Sequence, residues 1–208
     1  MTTAIIGVGN IGSVLAANLV RGGADVVLAT RGLERAQAVA RKAGARAATV
    51  GDAIDAADVV IFAVPFAVIK ELLAAHAAAL RGKTIVDPSN AVVLDGDGGF
   101  TKIIPAEESA GGLLAPLAPA DARFVKAFGT QAAQTLADSS GLRPPTVQFY
   151  ATDDEAAGAT VADLIRTGGY APVLIGGIDQ SVRIEVFGDL HESTLGRAVT
   201  EEEAKKLV

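Results

Sequence analysis

The sequence predicts an α/β fold with a doubly wound, mostly parallel sheet and helices on both faces. Short runs rich in Val and Ile alternate with Ala-rich helical stretches along the whole chain. The short runs are apolar throughout, as strands covered on both faces are. A glycine-rich turn also follows the first of these runs directly, at residue 7. Together these observations favour alternating strands and crossover helices over an all-β or all-α fold.

Each strand is predicted from a short apolar or β-branched run, and each helix from an amphipathic stretch between two runs. The first helix ends at a pair of glycines, which is typical of a helix C-terminus. The predicted strands cover residues 3–8, 24–30, 46–50, 58–64, 83–88, 123–128, 146–152 and 171–177. The predicted helical segments cover residues 11–23, 33–44, 51–57, 66–80, 105–117, 130–139 and 154–169, with a final helix from about residue 178.

Domain organisation follows from length and from the continuity of the apolar residues. A chain of 208 residues suits a single domain. Residues 94–100, the stretch richest in Gly and Asp, are interpreted as a mobile loop because apolar residues continue on either side. The prediction is one domain over residues 1–208 with a short helical extension from about residue 178.

Composition excludes several classes of function. The net charge of −6 argues against nucleic acid as the main partner. The absence of cysteine excludes disulfides, thiolate metal sites and cysteine nucleophiles. No histidines stand at metal-ligand spacing, so no metal is predicted. The N-terminus lacks the pattern of a secretory signal, and the apolar runs are too short to span a bilayer. A soluble cytoplasmic protein without a membrane partner is therefore expected.

The turn after the first strand has the spacing of a dinucleotide-binding motif. Gly7, Gly9 and Gly12 form the pattern G-x-G-x-x-G between an apolar strand and an amphipathic helix. In this Rossmann-type motif the glycines permit a tight turn, close approach of a pyrophosphate and close helix–strand packing. The helix N-terminus adds N–H donors for the phosphates. The turn, including Val8, Asn10 and Ile11, is therefore predicted to be nucleotide-binding.

The turn after the second strand selects between the two nicotinamide cofactors. An NAD site places an acid there to bind the ribose hydroxyls, whereas this chain has Thr30 followed by Arg31. Arg35 follows one helical turn later, and arginine suits phosphate recognition. The alternative is that these arginines only form a solvated helix face. The sequence favours NADP, with Thr30, Arg31 and Arg35 around the 2′-phosphate.

Several motifs together resemble the family of NADPH-dependent F420 reductases (F420:NADP oxidoreductases). They are "GVGNIGSVLAANL", "ATRGLERA", "FAVPF", "DPSNAV", "RFVKAFGT", "YATDDEAAGATVADLI" and "GGYAPVLIGG". The resemblance implies hydride transfer between NADPH and the deazaflavin of coenzyme F420, or a flavin-like acceptor, in a homodimer. It also implies further cofactor contacts, namely Ala63, Val64 and Pro65 along the ribose, Asn90, and Ala133 at the end of a segment that brackets the nicotinamide.

No catalytic residue is predicted, because hydride passes directly between two rings that the protein only needs to position. His76 is interpreted as a packed or half-exposed helical residue, and His191 as a residue of the substrate pocket or of a dimer contact. Three alternatives remain open at this point. They are an NADPH-dependent flavin, quinone or ferric reductase, a non-catalytic NADP(H)-binding redox sensor, and a dehydrogenase of small acids.

Overall fold

The sheet that organises the molecule has eight strands. The computed structural model describes residues 1–96 and 99–208. The eight strands lie in the order β10-β9-β8-β5-β4-β1-β2-β3, and β6 and β7 form a separate hairpin. The strands are β1 Thr2–Ile6, β2 Asp25–Ala29, β3 Arg46–Ala47, β4 Val59–Phe62, β5 Thr84–Asp87, β6 Val92–Leu94, β7 Phe100–Lys102, β8 Arg123–Ala127, β9 Val147–Ala151 and β10 Ala171–Leu174.

Helices follow most strands, as the alternation in the sequence predicts. They are α1 Asn10–Arg21, α2 Leu33–Ala43, α3 Val50–Ala56, α4 Phe66–Ala75, α5 Ala110–Leu114, α6 Ala133–Ser139, α7 Glu155–Thr167, α8 Glu192–Leu195 and α9 Glu201–Ala204. Two 3₁₀ helices, Ala115–Leu117 and Ile178–Ile184, complete the helical segments of the described residues.

Strand pairing confirms the doubly wound sheet. All neighbours from β3 to β8 pair in parallel, and the order reverses between β1 and β4. The pair β8–β9 is antiparallel and β9–β10 is parallel. The last two strands therefore run opposite to the other six.

The core consists of two apolar layers, one on each face of the sheet. One face is covered by α1, α2, α6 and α7, with Leu19 and Val161 among the fully buried side chains. The other face is covered by α3, α4 and α5, with Ile69 and Leu114 buried against the strands. The apolar strands of the sequence are thus covered on both sides, as a parallel sheet requires.

The glycine-rich stretch at residues 94–100, predicted as a mobile loop, lies at the end of a hairpin. Its first and last residues belong to the antiparallel strands β6 and β7, whose register pairs Leu94 with Phe100. Asp95 accepts a hydrogen bond from the Gly99 amide at 2.7 Å. The predicted loop also includes residues 97 and 98, which lie outside the described residues.

The prediction of one final helix from about residue 178 is wrong. The segment forms the 3₁₀ helix Ile178–Ile184 and the two short helices α8 and α9, separated by turns. Phe187 adopts a positive φ of 77°, which interrupts any regular helix. The Ile178 amide bonds Asp153 after β9, and Glu185 reaches Lys126 near the end of β8. The segment thus runs from the residues after β9 to the carboxyl end of β8.

Within the described part of the chain, no helix combines the length and the apolar character needed to cross a bilayer.

Candidate functional site

The candidate site lies at the carboxyl edge of the six parallel strands, where the strand order reverses between β1 and β4. Ligands of open α/β sheets bind at such a switch point because the two flanking loops diverge there and leave a crevice. The glycine turn after β1 and the loop of Ala63, Val64 and Pro65 after β4 flank this point.

Each glycine of the turn has the environment that its motif position requires. A Cβ on Gly7 would lie 2.2 Å from the Ala63 carbonyl oxygen, and its φ is +111°. A Cβ on Gly12 would lie 2.0 Å from the Gly7 carbonyl oxygen, so only glycine permits this helix–strand contact. A Cβ on Gly9 meets no atom within 4 Å. The space beside Gly9 is therefore open to a ligand.

The N-terminus of α1 faces this open space. Gly9 is the N-cap of the helix, no side chain caps it, and its first turn carries no acidic residue. Gly9 and Asn10 are exposed, whereas Val8 is buried beneath them. The first-turn N–H groups and the positive end of the helix dipole are thus available to an anion, which fits a pyrophosphate.

The turn after β2 presents two arginines whose side chains, within the described residues, make no hydrogen bond or ion pair. Arg31 and Arg35 are both exposed, and Thr30 is half-buried at the end of the strand. Arg46, in contrast, forms an ion pair with Asp25 at 2.8 Å at the other end of β2. Arg46 is therefore paired at one end of β2, whereas Arg31 and Arg35 are unpaired at the ligand end.

Two adjoining regions of one cleft bring most of the predicted residues together, whereas Gly7, Gly12, Thr30 and Arg31 belong to neither lining. The first region, about 560 Å³ in volume, is lined by Val8, Gly9, Asn10, Ser13, Val14, Arg35, Ala133, Gln134 and Ala137. The second region, about 290 Å³, is lined by Asn10, Ile11, Ala63, Val64, Pro65, Pro88, Ser89, Asn90 and Val92. Asn10 belongs to both linings, so the cleft continues from the arginine side to the loops after β4 and β5.

Asn90 has a structural role that the sequence did not predict. Its amide nitrogen donates to the Gly129 carbonyl at 3.0 Å, and its amide oxygen accepts from the Val186 backbone N–H at 2.7 Å. Asn90 thereby joins three segments that are far apart in sequence. Its side chain lines the cleft while it fixes the backbone of Gly129.

Beneath the second region lies a buried charge cluster of Asp87, Lys126 and Glu185. The Lys126 ammonium lies 2.8 Å from Asp87 and 3.1 Å from Glu185, and its side chain is 1% exposed. It also donates to the Ser89 carbonyl. Asp87 ends β5 and pairs in register with Lys126 on β8, which explains their contact. Sequence reasoning missed this cluster.

The protonated form of Lys126 is stabilised by its two carboxylates. Burial by itself lowers the pKa of Lys126, but the charges of Asp87 and Glu185 outweigh this effect and raise the pKa above its usual value. Glu185 also accepts from the backbone N–H groups of Ala110 at 2.8 Å and Gly111 at 3.0 Å. The cluster thus ties together β5, β8, α5 and the C-terminal segment.

The backbone after β8 bends sharply toward the cleft. Phe128 is fully buried and has a φ of +64°, an uncommon conformation for a bulky residue. A Cβ on Gly129 would lie 2.8 Å from the Pro88 carbonyl oxygen. The residues that follow lead into α6, which places Ala133 in the first region of the cleft. Glycine at position 129 therefore permits two loops to approach closely.

The two histidines lie outside the cleft lining. His76 is a half-buried residue at the C-cap of α4, not a mid-helix residue. His191 is buried, and its Nδ1 accepts from the Ser193 backbone N–H at 3.1 Å. Burial lowers the pKa of His191 to about 4, although the Gly129 backbone opposes this shift. In the part of the chain that the structure describes, no cluster of residues could hold a metal ion.

The fold and the cleft together define a Rossmann-type dinucleotide-binding protein, because the glycine turn, the helix N-terminus and the switch point coincide. Residues 2–91 match the model of the family described as NADP oxidoreductase, coenzyme F420-dependent. This match confirms, over those residues, the resemblance inferred from the motifs. It supports an NAD(P)-dependent oxidoreductase with NADP(H) as cofactor.

Solved structures share the fold over most of the chain. A hypothetical protein from Sinorhizobium meliloti has 29% identity and a TM-score of 0.83, with 97% of this chain and 96% of that chain covered. A protein from Arthrobacter named as a candidate F420-dependent NADP reductase has 24% identity and a TM-score of 0.76, covering 95% and 96%.

A reductive aminase from Aspergillus terreus in complex with NADPH4, cyclohexanone and allyl amine has 23% identity and a TM-score of 0.66. The alignment covers 89% of this chain and 57% of the aminase. No curated protein matches the chain.

Proposed function

We propose that the chain transfers a hydride between NADPH and the deazaflavin of coenzyme F420, or a flavin-like acceptor. The observation that carries this proposal is one cleft with an open Gly9 and an unpaired Arg35 at one end and the loops after β4 and β5 at the other. NADPH supplies the hydride, and the acceptor takes it up together with one proton from solvent.

The phosphate end of the cleft accounts for the choice of NADPH. Arg31 and Arg35 lie within one helical turn of each other, and both are exposed. No acid stands at position 30, where an NAD site places its carboxylate, although Glu34 lies between the two arginines. Arginine binds phosphate through charge-assisted hydrogen bonds, so these residues fit NADPH better than NADH.

The acceptor end of the cleft is suited to positioning rather than to acid–base chemistry. Its lining combines apolar residues from Ala63 to Pro65 with the loop of Pro88, Ser89 and Asn90. This lining includes no titratable side chain. A direct hydride transfer needs two rings held in contact with water excluded, and an apolar lining on a fixed loop provides that.

Oxidation of NADPH, followed by its absorbance, tests the proposal with coenzyme F420, FMN and a ferric chelate as separate acceptors. We expect turnover with F420, with the stereospecifically deuterated NADPH label passing to the acceptor without exchange into solvent. Turnover only with FMN or the chelate would assign a flavin or ferric reductase. Tight NADPH binding without any turnover would assign a redox sensor instead.

We also propose that the protein acts as a homodimer in the cytoplasm, as the family resemblance implies. Exposed apolar side chains on the β6–β7 hairpin support an interface, since monomers rarely expose such groups together. Val93, Leu94 and Phe100 are 49%, 71% and 47% exposed. Light scattering of the purified protein measures the oligomeric mass, and a monomer at all concentrations would contradict the proposal.

A further inference from the structure

The buried cluster of Asp87, Lys126 and Glu185 carries a net charge and lies next to the cleft. All four carboxylate oxygens accept N–H donors, which is the arrangement of two ionised groups. With one ammonium against two carboxylates, the formal charge of the cluster is one negative unit. Nearby, Arg183 and Asp189 pair at 2.8 Å and balance each other.

Only Ser89 separates this charge from the acceptor end of the cleft. Lys126 bonds the carbonyl of Ser89, and Ser89 itself lines the cleft between Pro88 and Asn90. Asp87 accepts a hydrogen bond from the Ser89 backbone N–H at 2.7 Å. A buried charge is screened far less than a surface charge, so its field extends to a ring held in this region.

We propose that the net negative charge of the cluster stabilises the oxidised, cationic nicotinamide ring over the reduced, neutral ring. This inference rests on the proposed function, because it requires the nicotinamide to occupy the acceptor end of the cleft. NADP⁺ and NADPH differ there by one positive charge, so the cluster acts on one redox form and hardly on the other. The cluster thus favours hydride release from NADPH.

The cluster allows a series of variants that separates charge from structure. Glu185→Gln makes the cluster neutral. Glu185→Asp changes the side-chain length and keeps the net charge of one negative unit. The triple variant Lys126→Met, Glu185→Gln and Asp87→Asn gives a charge-free cluster. Asp25→Asn, at the exposed amino end of β2, is the matched control for removing a carboxylate elsewhere.

The measured quantity is the ratio of the dissociation constants of NADP⁺ and NADPH, obtained by calorimetry without an acceptor. Glu185→Gln and the triple variant, which are both neutral, should raise this ratio about three- to twenty-fold. This is the range expected when one buried charge is removed at an effective dielectric constant near that of protein interiors. A ten-fold change corresponds to about 30 mV in the potential of the bound couple. The charge-retaining variant Glu185→Asp and the Asp25→Asn control should keep the wild-type ratio.

The inference is wrong if the ratio of the two dissociation constants is the same in wild type and in both neutral variants. The inference is also wrong if Glu185→Asp shifts the ratio as far as Glu185→Gln, since structure and not charge would then be responsible. If Glu185→Gln fails to fold, the charge-free triple variant decides alone, because replacing a whole buried ion cluster is better tolerated than breaking it. A wild-type protein that binds neither nucleotide would instead refute the proposed function.

Discussion

The two ends of the cleft are built in opposite ways. The phosphate end depends on a short stretch of chain, an open glycine, a free helix N-terminus and two exposed arginines without partners. The acceptor end depends on groups whose partners lie on distant segments, such as the buried Lys126–Asp87 pair and the half-buried Asn90, although the buried Ser89 hydroxyl has no partner. Variants at the first end should therefore alter binding alone, and variants at the second should also alter stability.

Replacing Lys126 with methionine tests the acceptor end with the largest expected effect. The change leaves Asp87 and Glu185 buried without their common partner, and breaking such a pair costs about 3–5 kcal/mol of unfolding free energy. Urea unfolding followed by circular dichroism measures the loss. Lys126→Met combined with Asp87→Asn and Glu185→Gln should recover most of it. A single variant as stable as wild type would contradict the role of this cluster as a tie between segments.

Replacing Gly9 with valine tests the phosphate end. The Cβ of the new side chain meets no protein atom within 4 Å, and the φ of −76° suits any residue, so the fold should persist. It fills the space beside the helix N-terminus, and NADPH affinity should fall by about a hundred-fold or more.

Calorimetric titration with NADPH measures this effect, and Gly51→Val is the control, at a helical glycine that also has open space. Gly12→Val should instead unfold the protein, because its Cβ would lie 2.0 Å from a carbonyl oxygen. Unchanged affinity in a folded Gly9→Val variant would show that phosphate binds elsewhere.

Outside both ends of the cleft, the buried His191 should make the stability of the protein sensitive to acid. Its pKa falls from 6.5 in the unfolded chain to about 4 in the folded protein, because burial disfavours the charged ring. The unfolded chain then binds more protons between these values, so stability declines as pH falls from about 6.5 to 4. The loss is up to about 3 kcal/mol over that window.

Unfolding free energies at several pH values test this sign, with His191→Gln expected to flatten the acid branch. His76→Gln controls for the removal of a histidine as such, at a half-buried helix end. An equally steep acid branch in His191→Gln would assign the acid sensitivity to other groups. Turnover of this variant near neutral pH should change little, because His191 does not line the cleft.

Truncating Arg31 to alanine should give the smallest change and affect binding only. Losing a charge-assisted phosphate contact costs roughly 1.5–3 kcal/mol, or about 10- to 150-fold in NADPH affinity. NADH affinity should hardly change, and Arg35→Ala should matter less. The measurement is the ratio of the two affinities, and adding Thr30→Asp should move it further toward NADH. If Arg31→Ala weakens the affinities for NADPH and NADH equally, the arginines form only a solvated helix face.

The contrast between the two ends of the cleft also explains which parts of the molecule could be predicted from the sequence. The order of strands and helices follows from apolar periodicity, and the phosphate end from residues within one βαβ unit, Gly7 to Arg35. The acceptor end requires Lys126 to meet Asp87, which lies 39 residues away in sequence. A lone lysine in an apolar strand gives no sign of its partners. Such contacts depend on strand order and on the return of the C-terminal segment, which periodicity does not specify.

Departures from predicted secondary structure have the same origin. Apolar and polar residues after Ile178 alternate as in an amphipathic helix, yet Glu185 is drawn into the buried cluster. A Cβ on Gly188 would lie 2.3 Å from the Arg183 carbonyl oxygen, so the chain folds back tightly on itself there. Tertiary contacts thus override local helical preference in this segment. The residues of α1 and α2 face no such competition, and their prediction is confirmed.

The reversal of β9 and β10 has a consequence for how this chain can diversify. Because those strands run against the others, residues after β10 must cross back over the sheet to bring Glu185 to Lys126. Two contacts that fix the loops of the acceptor end, the ion pair of Glu185 with Lys126 and the bond from the Val186 N–H to Asn90, thus come from a tail that takes no part in the glycine turn or the arginine pair. Insertions or exchanges in that tail can therefore shift the loops after β5 and β8 while the glycine turn keeps its geometry.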